Sequence, residues 1–194
     1  MSISLPLTPI EEFNVVSFKG TPEVDIDKYE LSIEGLVENP FTQRYSDLLS
    51  YPAKTEIVML RCVEGWSGVG EWTGIPLRDI LEEAKIRHNA RTVVFYSVDG
   101  YSASLSVEDS LSDNVMLSYK LNGEALPKEH GYPLRLVVEG KYGYKWIKWV
   151  THIKIVKGHY KGYWERQGYS NKADIRRSGK TKLFKLRRLY QKMK

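Results

Sequence analysis

Apolar and polar residues alternate through YELSIEGLV (Tyr29 to Val37), which runs out at Asn39-Pro40, so the pattern predicts a strand closed by a turn. FTQRYSDLLSYP fits a short helix capped by Thr42 and stopped before Pro52. KTEIVMLRCV is apolar and β-branched and reads as a strand running directly into Cys62. The turn-rich Glu64-Gly65-Trp66-Ser67-Gly68 follows, a segment that would lift the sulfur out of the sheet. In IPLRDILEEAKI, Leu77, Ile80, Leu81 and Ala84 recur at helical spacing with Pro76 suited to a first turn, which predicts a helix over Ile75 to Ile86.

RTVVFYSVDGYSASLSVEDS predicts two strands joined around Asp99-Gly100, and VMLSYKLNGEALP another leading into Asn122-Gly123. PLRLVVEGKYGYKWIKWVTHIKIV supplies two more strands with a glycine-rich corner between them. Strands outnumber helices and do not alternate with them regularly, so the fold class is α+β, built on mixed or antiparallel sheets with short helices. One domain is expected over residues 1–175, followed by a basic C-terminal helix or tail over 176–194.

A hydrophobic fraction of 42% in 194 residues, with 5 Trp, 13 Tyr and 5 Phe, suffices for one globular domain with its own core. The net charge of +5 hides an asymmetry: from Thr151 onward there are 14 Lys and Arg against two Asp and Glu, leaving 15 against 22 before it. Residues 176–194 hold nine of those basic residues and no acid, and Leu186, Leu189, Tyr190 and Met193 fall on one helical face. Such a tail is either a solvated terminal helix or a surface for an acidic partner or anionic lipid. The opening MSISLPLTPIEEF has no basic, apolar export pattern, and no run of apolar residues is long enough to span a membrane, so the expected location is the cytoplasm.

Cys62 is the only cysteine, so no internal disulfide is available, and the thiol is either a core filler or a functional group. Arg61 beside it favours the thiolate, the form that binds metals. His88, His130, His152 and His159 show no ligand spacing, so a metal at Cys62 would take most of its ligands from an organic cofactor. A Cys-His nucleophile pair with His130 or His152 is the competing chemistry. In HGYPLRLVVEGKYGYKWIKWV, Arg135, Lys141, Lys145 and Lys148 are interleaved with glycines and aromatics. That composition suits a phosphate-bearing ligand, and equally single-stranded nucleic acid. For Lys145, Trp146 and Trp149 it also allows plain strand alternation, with tryptophans inward and lysines outward.

These stretches together resemble the molybdopterin-binding domain of the sulfite oxidase family. The resemblance is to its small prokaryotic members, similar to the catalytic subunit of periplasmic methionine sulfoxide reductase. It runs from Phe13 to Val156 in the order FNVVSFKGTPEVDIDKYELSIEGLV, MLRCVEGWSGVGEWTGIPL and YKLNGEALPKEHGYPLRLVVEGKYGYKWIKWV, with GYWERQGYS beyond it. It implies that Cys62 gives its thiolate to molybdenum or tungsten carried by a pterin. Phe13, Asn14, Val16 and Ser17 are implied to meet that pterin, with Ser97 supplying a hydroxyl where sulfoxide-reductase relatives carry threonine. His130 and Arg135 fall at cofactor-binding positions, Arg135 suited to the phosphate, and Trp146, Ile147 and Lys148 close on the pterin. Tyr119 aligns with a tyrosine facing the metal, though a packed strand tyrosine is the alternative, and Glu64 lies near enough to the ligand cysteine to act with it.

The sequence departs from sulfite oxidases where they place arginines around an anionic substrate: CVEGWSG and FNVVSFKG contain none. The expectation is an oxidoreductase that transfers an oxygen atom to or from a small substrate, an S-oxide, an N-oxide or a sulfur compound, with reduction favoured. Electrons would pass through a separate protein partner, and nucleic acid is not expected as a ligand. The readings set against it are a non-enzymatic protein binding nucleic acid through its tail, and a cysteine-dependent hydrolase or transferase.

Overall fold

The computed structural model describes residues 6–175. The tail read as a basic amphipathic helix, 176–194, lies outside the described residues. Strand β1 (Glu30–Gly35) buries Leu31 and Ile33 and leaves Glu30 exposed, as its alternation requires. On one edge it pairs antiparallel with β2 (Phe41–Arg44), and on the other parallel with β10 (Val150–Val156). Strands β5 (Thr92–Ser97) and β6 (Ser102–Ser106) complete a sheet of order β2-β1-β10-β5-β6.

A second sheet joins β3 (Lys54–Arg61), β4 (Ser67–Pro76) and β7 (Val115–Leu121), with β8 (Glu124–Ala125) and β9 (Arg135–Val138) both paired to β7. One hydrophobic cluster draws on both sheets, and within it the Trp72 and Trp146 rings meet edge to face with centroids 5.7 Å apart. Among the described residues helices are few and short, and the α+β reading holds. No helix among the described residues is long and apolar enough to cross a membrane.

Three local expectations change. FTQRYSDLLSYP is not one helix: Phe41–Arg44 joins the edge of β1, where Ser32 Oγ lies 3.1 Å from Thr42 Oγ1. The helix is only α1 (Tyr45–Leu48), and the amide of Arg44 at its start is bonded by Asp47 at 3.2 Å, with no cap from Thr42. Helix α2 (Leu77–Ala84) buries the predicted face, Leu77, Ile80, Leu81 and Ala84. Pro76 ends β4 ahead of it, Lys85 turns the chain left-handed at φ 53°, and Ile86 bridges to Val37 instead of extending the helix.

The third change is at the turn expected over Glu64 to Gly68, where Ser67 and Gly68 already belong to β4 and the turn itself is shorter. A Cβ on Gly68 would stand 2.5 Å from the Phe13 ring, and one on Gly74 would collide with the Leu117 carbonyl oxygen. These glycines answer to close packing across the sheet rather than to a turn. Two very short helices, α3 (Val107–Ser110) and α4 (Tyr163–Arg166), flank β6 and matter for the site below.

Candidate active site

Strand β3 delivers Cys62 to a tight reversal into β4. The Cys62 amide donates to the Trp66 carbonyl at 2.9 Å, the Gly65 amide to the Cys62 carbonyl at 3.3 Å, and Gly65 takes φ 97°, a conformation that favours glycine. The thiol is half-buried and faces a cleft. Glu64 Oε2 lies 3.8 Å from Cys62 Sγ and accepts a hydrogen bond from Trp66 Nε1 at 3.4 Å. Arg61 does not do what its adjacency suggests, because its Nη2 rests 3.5 Å from Met59 Sδ. Burial, joined by the charge of Glu64, pushes the Cys62 thiol up. The protein's own groups therefore favour the thiol, whereas a bound metal would draw out the thiolate.

Across the cleft, the four basic residues of the 135–148 stretch divide into two kinds. Lys141 Nζ is held between Asp109 at 3.0 Å and Asp174 at 2.7 Å. Lys145 is fully buried, bonded to Glu165 and, at 2.8 Å, to the Ser104 carbonyl. Burial pushes its ammonium down, and the Glu165 carboxylate opposes that. Neither Arg135 nor Lys148 is ion-paired with a carboxylate among the described residues. Arg135, on β9 and buried, donates from Nη1 to the His130 carbonyl at 3.0 Å and lies 5.2 Å from the centre of the Trp72 ring. Its Nε has no partner among the described residues, and burial lowers its pKa to about 10.

Lys148 donates to the Glu129 carbonyl at 2.7 Å and sits 4.2 Å from the centre of the Trp149 ring. Burial first, then the Arg135 charge, brings it down to about 7, against the pull of Asp99 and Glu129. His130 is held at about 4 by burial and by Arg135 and Lys148, so at neutral pH its imidazole is uncharged. Folding has therefore gathered three basic side chains around a space without pairing them to a carboxylate among the described residues.

The wall carrying them is not the strand that alternation allowed. Residues Gly143–Lys145 form a 3-10 turn, Lys145 is buried as Trp146 is, and Trp149 adopts φ 52° before the chain enters β10. A Cβ on Gly143 would stand 3.1 Å from Leu60 Cδ1 and 3.4 Å from the Arg61 carbonyl oxygen. Glycine at this position lets the basic wall close on the strand that leads to the cysteine.

Of the site residues that the resemblance implies, Asn14, Val16, Ser17, Cys62, Glu64, Ser97, His130, Arg135, Trp146, Ile147 and Lys148 all line this one cleft. Two do not. Phe13 is buried beside it, its ring against Gly68 and Gly70 and edge-on to Trp72 and His130, both at 6.1 Å. Tyr119, on β7, is outside the cleft and packs on the hydrophobic core. Strand alternation puts it on the face of the buried Leu117 and Leu121. It is near enough to Tyr45 to add, after burial and Tyr132, to the rise of that phenol's pKa. The structure adds lining residues to which the sequence assigns no role, among them Asp99, Tyr101, Tyr144, Trp164 and Tyr169. The signal for the last two is the aromatic density of GYWERQGYS.

The donor set can be tested for the group it would hold. Ser97 Oγ and Arg135 Nε are buried at the cleft without hydrogen-bond partners among the described residues. Among the described residues Arg135 and Lys148 form no ion pair with a carboxylate, and one sulfur ligand lines the same space. Among the described residues no group of three His, Cys, Asp or Glu side chains could hold a metal ion. An anionic organic group that brings its own metal, with Cys62 as the protein's ligand, fits these residues.

Comparison with known proteins points the same way. The family model described as "Oxidoreductase molybdopterin binding domain" matches residues 18–164. The chain is 34% identical over 151 residues to a Bacillus subtilis protein named as the uncharacterized oxidoreductase YuiH, covering 77% of this chain and 76% of that one. It is 31% identical to the protein-methionine-sulfoxide reductase catalytic subunit MsrP of Ralstonia nicotianae, over 78% of this chain and 53% of the relative. Among solved structures, the sulfane dehydrogenase SoxCD of Paracoccus pantotrophus matches with TM-score 0.69 and 30% identity over 78% of this chain and 46% of that one. The chain thus spans about half the length of some of its relatives.

Proposed function

The chain belongs to the oxidoreductase molybdopterin-binding domain family, of sulfite oxidase type, and from that premise we propose that it reduces a small neutral S-oxide. The observation that carries the reading is the division of one cleft between a lone thiol and two cations without carboxylate partners. The cofactor, when bound, supplies the two-electron chemistry and the centre at which an oxygen atom is exchanged. The rest is assigned to the protein's own side chains. Cys62 provides the metal's protein ligand, Arg135 and Lys148 neutralise the phosphate, and Ser97 Oγ supplies a hydrogen bond from its buried position. His130, uncharged above about pH 4, meets the cofactor as a neutral donor or acceptor. Asn14, Val16 and Ser17 border the cleft from the N-terminal side, and Trp146 and Ile147 form its apolar wall.

Glu64 decides between substrates. Its carboxylate stands 3.8 Å from Cys62 Sγ, where an anion would be repelled. No arginine follows the ligand cysteine to offset it, and Arg61 before it is turned toward Met59. A sulfite dianion is therefore disfavoured and a neutral S-oxide is not. The overall reaction takes two electrons and two protons, releases the oxygen as water and leaves a thioether. The electrons come from a separate protein partner, a reading supported by a relative whose name calls it a catalytic subunit.

The test is metal and pterin analysis of wild type and Cys62→Ser made in a host that synthesises the pterin, with reduction of methyl sulfoxides by reduced viologen. Expected are stoichiometric molybdenum or tungsten with pterin in the wild type. Cys62→Ser should retain pterin with an altered metal spectrum and lose activity by roughly a hundredfold or more. Wild-type protein without metal or pterin would sink the reading.

A further inference from the structure

Lys145 and Glu165 form a buried charged pair that the proposed chemistry does not use. Their side chains are 0% and 1% exposed, and the Lys145 ammonium also bonds the Ser104 carbonyl at 2.8 Å. The pair links two stretches of chain that both border the cleft. Lys145 ends the turn leading into Trp146, Ile147 and Lys148, while Glu165 lies in α4 next to Trp164. The far end of this second stretch is tied as well, because the Tyr144 hydroxyl donates to the Ser170 carbonyl at 2.8 Å. Gly162 lets the segment press on β6, since a Cβ there would collide with the Ser102 carbonyl oxygen and lie 2.6 Å from Glu165 Oε2.

What is fastened is a run of rings. Tyr144 meets Tyr169 at 5.4 Å, Tyr169 meets Trp164 at 5.2 Å, Trp164 meets Tyr163 at 5.3 Å, and Tyr163 meets Phe18 at 4.4 Å. Trp164 and Tyr169 line the cleft yet are 36% and 39% exposed, so each ring keeps unshared surface for whatever enters. A helix as short as α4 does not hold such rings by itself. Resting on the S-oxide reading above, we propose that Trp164 and Tyr169 form a substrate wall selecting apolar, uncharged substituents on the sulfur, and that Glu165, through Lys145, is the positioning residue that holds it. The wall complements Glu64: one excludes anions near the sulfur ligand and the other rewards apolar groups on the substrate.

The experiment uses cofactor-loaded protein with reduced viologen and two substrates, dimethyl sulfoxide and methyl p-tolyl sulfoxide. In Trp164→Ala and in Glu165→Gln the kcat/KM preference for the tolyl substrate should fall about tenfold, entering through KM. Trypsin should also cut after Arg166 faster in Glu165→Gln than in wild type. A preference kept within about twofold in Trp164→Ala overturns the wall, and one kept in Glu165→Gln overturns the positioning role whatever the tryptic rate. Should Glu165→Gln not fold, Lys145→Arg replaces it, keeping the charge but changing its reach, with the same loss expected. If wild-type protein reduces neither sulfoxide, the S-oxide reading fails and the wall is judged on binding alone. Methyl p-tolyl sulfoxide should then quench tryptophan fluorescence in wild type and not in Trp164→Ala, and equal quenching in both overturns the wall.

Discussion

Lys145 and Lys148 stand three residues apart in the segment that walls the cleft, one buried behind it and one lining it, and they are opposites. Lys145 is fully buried with a carboxylate of its own, while Lys148 is half-buried with only a carbonyl and a ring face. The first cation belongs to the fold, and the second is left for a ligand. Burial lowers the pKa of both, but only Lys145 has the opposing pull of a bonded carboxylate, so the folded protein holds Lys148's charge weakly, near pH 7. Two residues of one type serve different purposes because of what lies across from them.

The strongest way to break this comparison is to remove Lys145. Lys145→Met strands the Glu165 carboxylate in the core and should cost about 3–5 kcal/mol in urea unfolding of cofactor-free protein, whereas Lys148→Met should cost less than about 1 kcal/mol or stabilise. Equal losses would erase the distinction. Next in size, Arg135→Met should reduce cofactor content after purification by roughly tenfold or more, in line with the loss of charge-assisted hydrogen bonds, without a matching loss of stability in cofactor-free protein.

The smallest effect sharpens the Lys148 side. Its folded pKa of about 7 lies below the usual lysine value, so the charge is present below pH 7 and lost above it. The unfolded chain stays protonated up to its own higher pKa. Lys148 therefore disfavours folding below that value, with the cost growing as pH falls and levelling off below about 7. Binding of sulfate, whose charge is constant in this range, to cofactor-free protein should weaken several-fold as pH rises through 7, and calorimetry on Lys148→Arg should show that step flattened. The other charged groups acting on Lys148 are Arg135, Asp99 and Glu129. An anion affinity flat across that pH in the wild type would count against Lys148 as the anchor.

Much of this is legible in the chain. Strand β3 and its exit at Cys62 follow from composition, and α2 from periodicity. Most of the residues named for the cleft do converge there, and it is the resemblance more than the pattern that gathers them. What escapes shares one cause. Strand β4 carries no strand signal of its own because its glycines answer to Phe13 and Leu117, which lie far away in sequence. Lys141 and Lys145 read as phosphate anchors because their acidic partners, Asp109, Asp174 and Glu165, lie at least 20 residues off. Tyr119 is placed by resemblance, while its strand carries it outside the cleft. Local pattern reports what a residue can do, and long-range contact decides which of its uses remains.

The parallel register of β1 with β10 sets an order of events during synthesis. Ser32 lies opposite His152 and Gly35 opposite Ile155, so the first strand waits for the last before its inner edge is covered. Strands β3, β4 and β7 are adjacent through antiparallel pairings and can assemble while the rest of the chain is still emerging. The cysteine's half of the cleft is thus made first, and the half with Arg135 and Lys148 follows it later in synthesis. A cofactor that needs both halves finds its site only once the later half has folded back onto the earlier one.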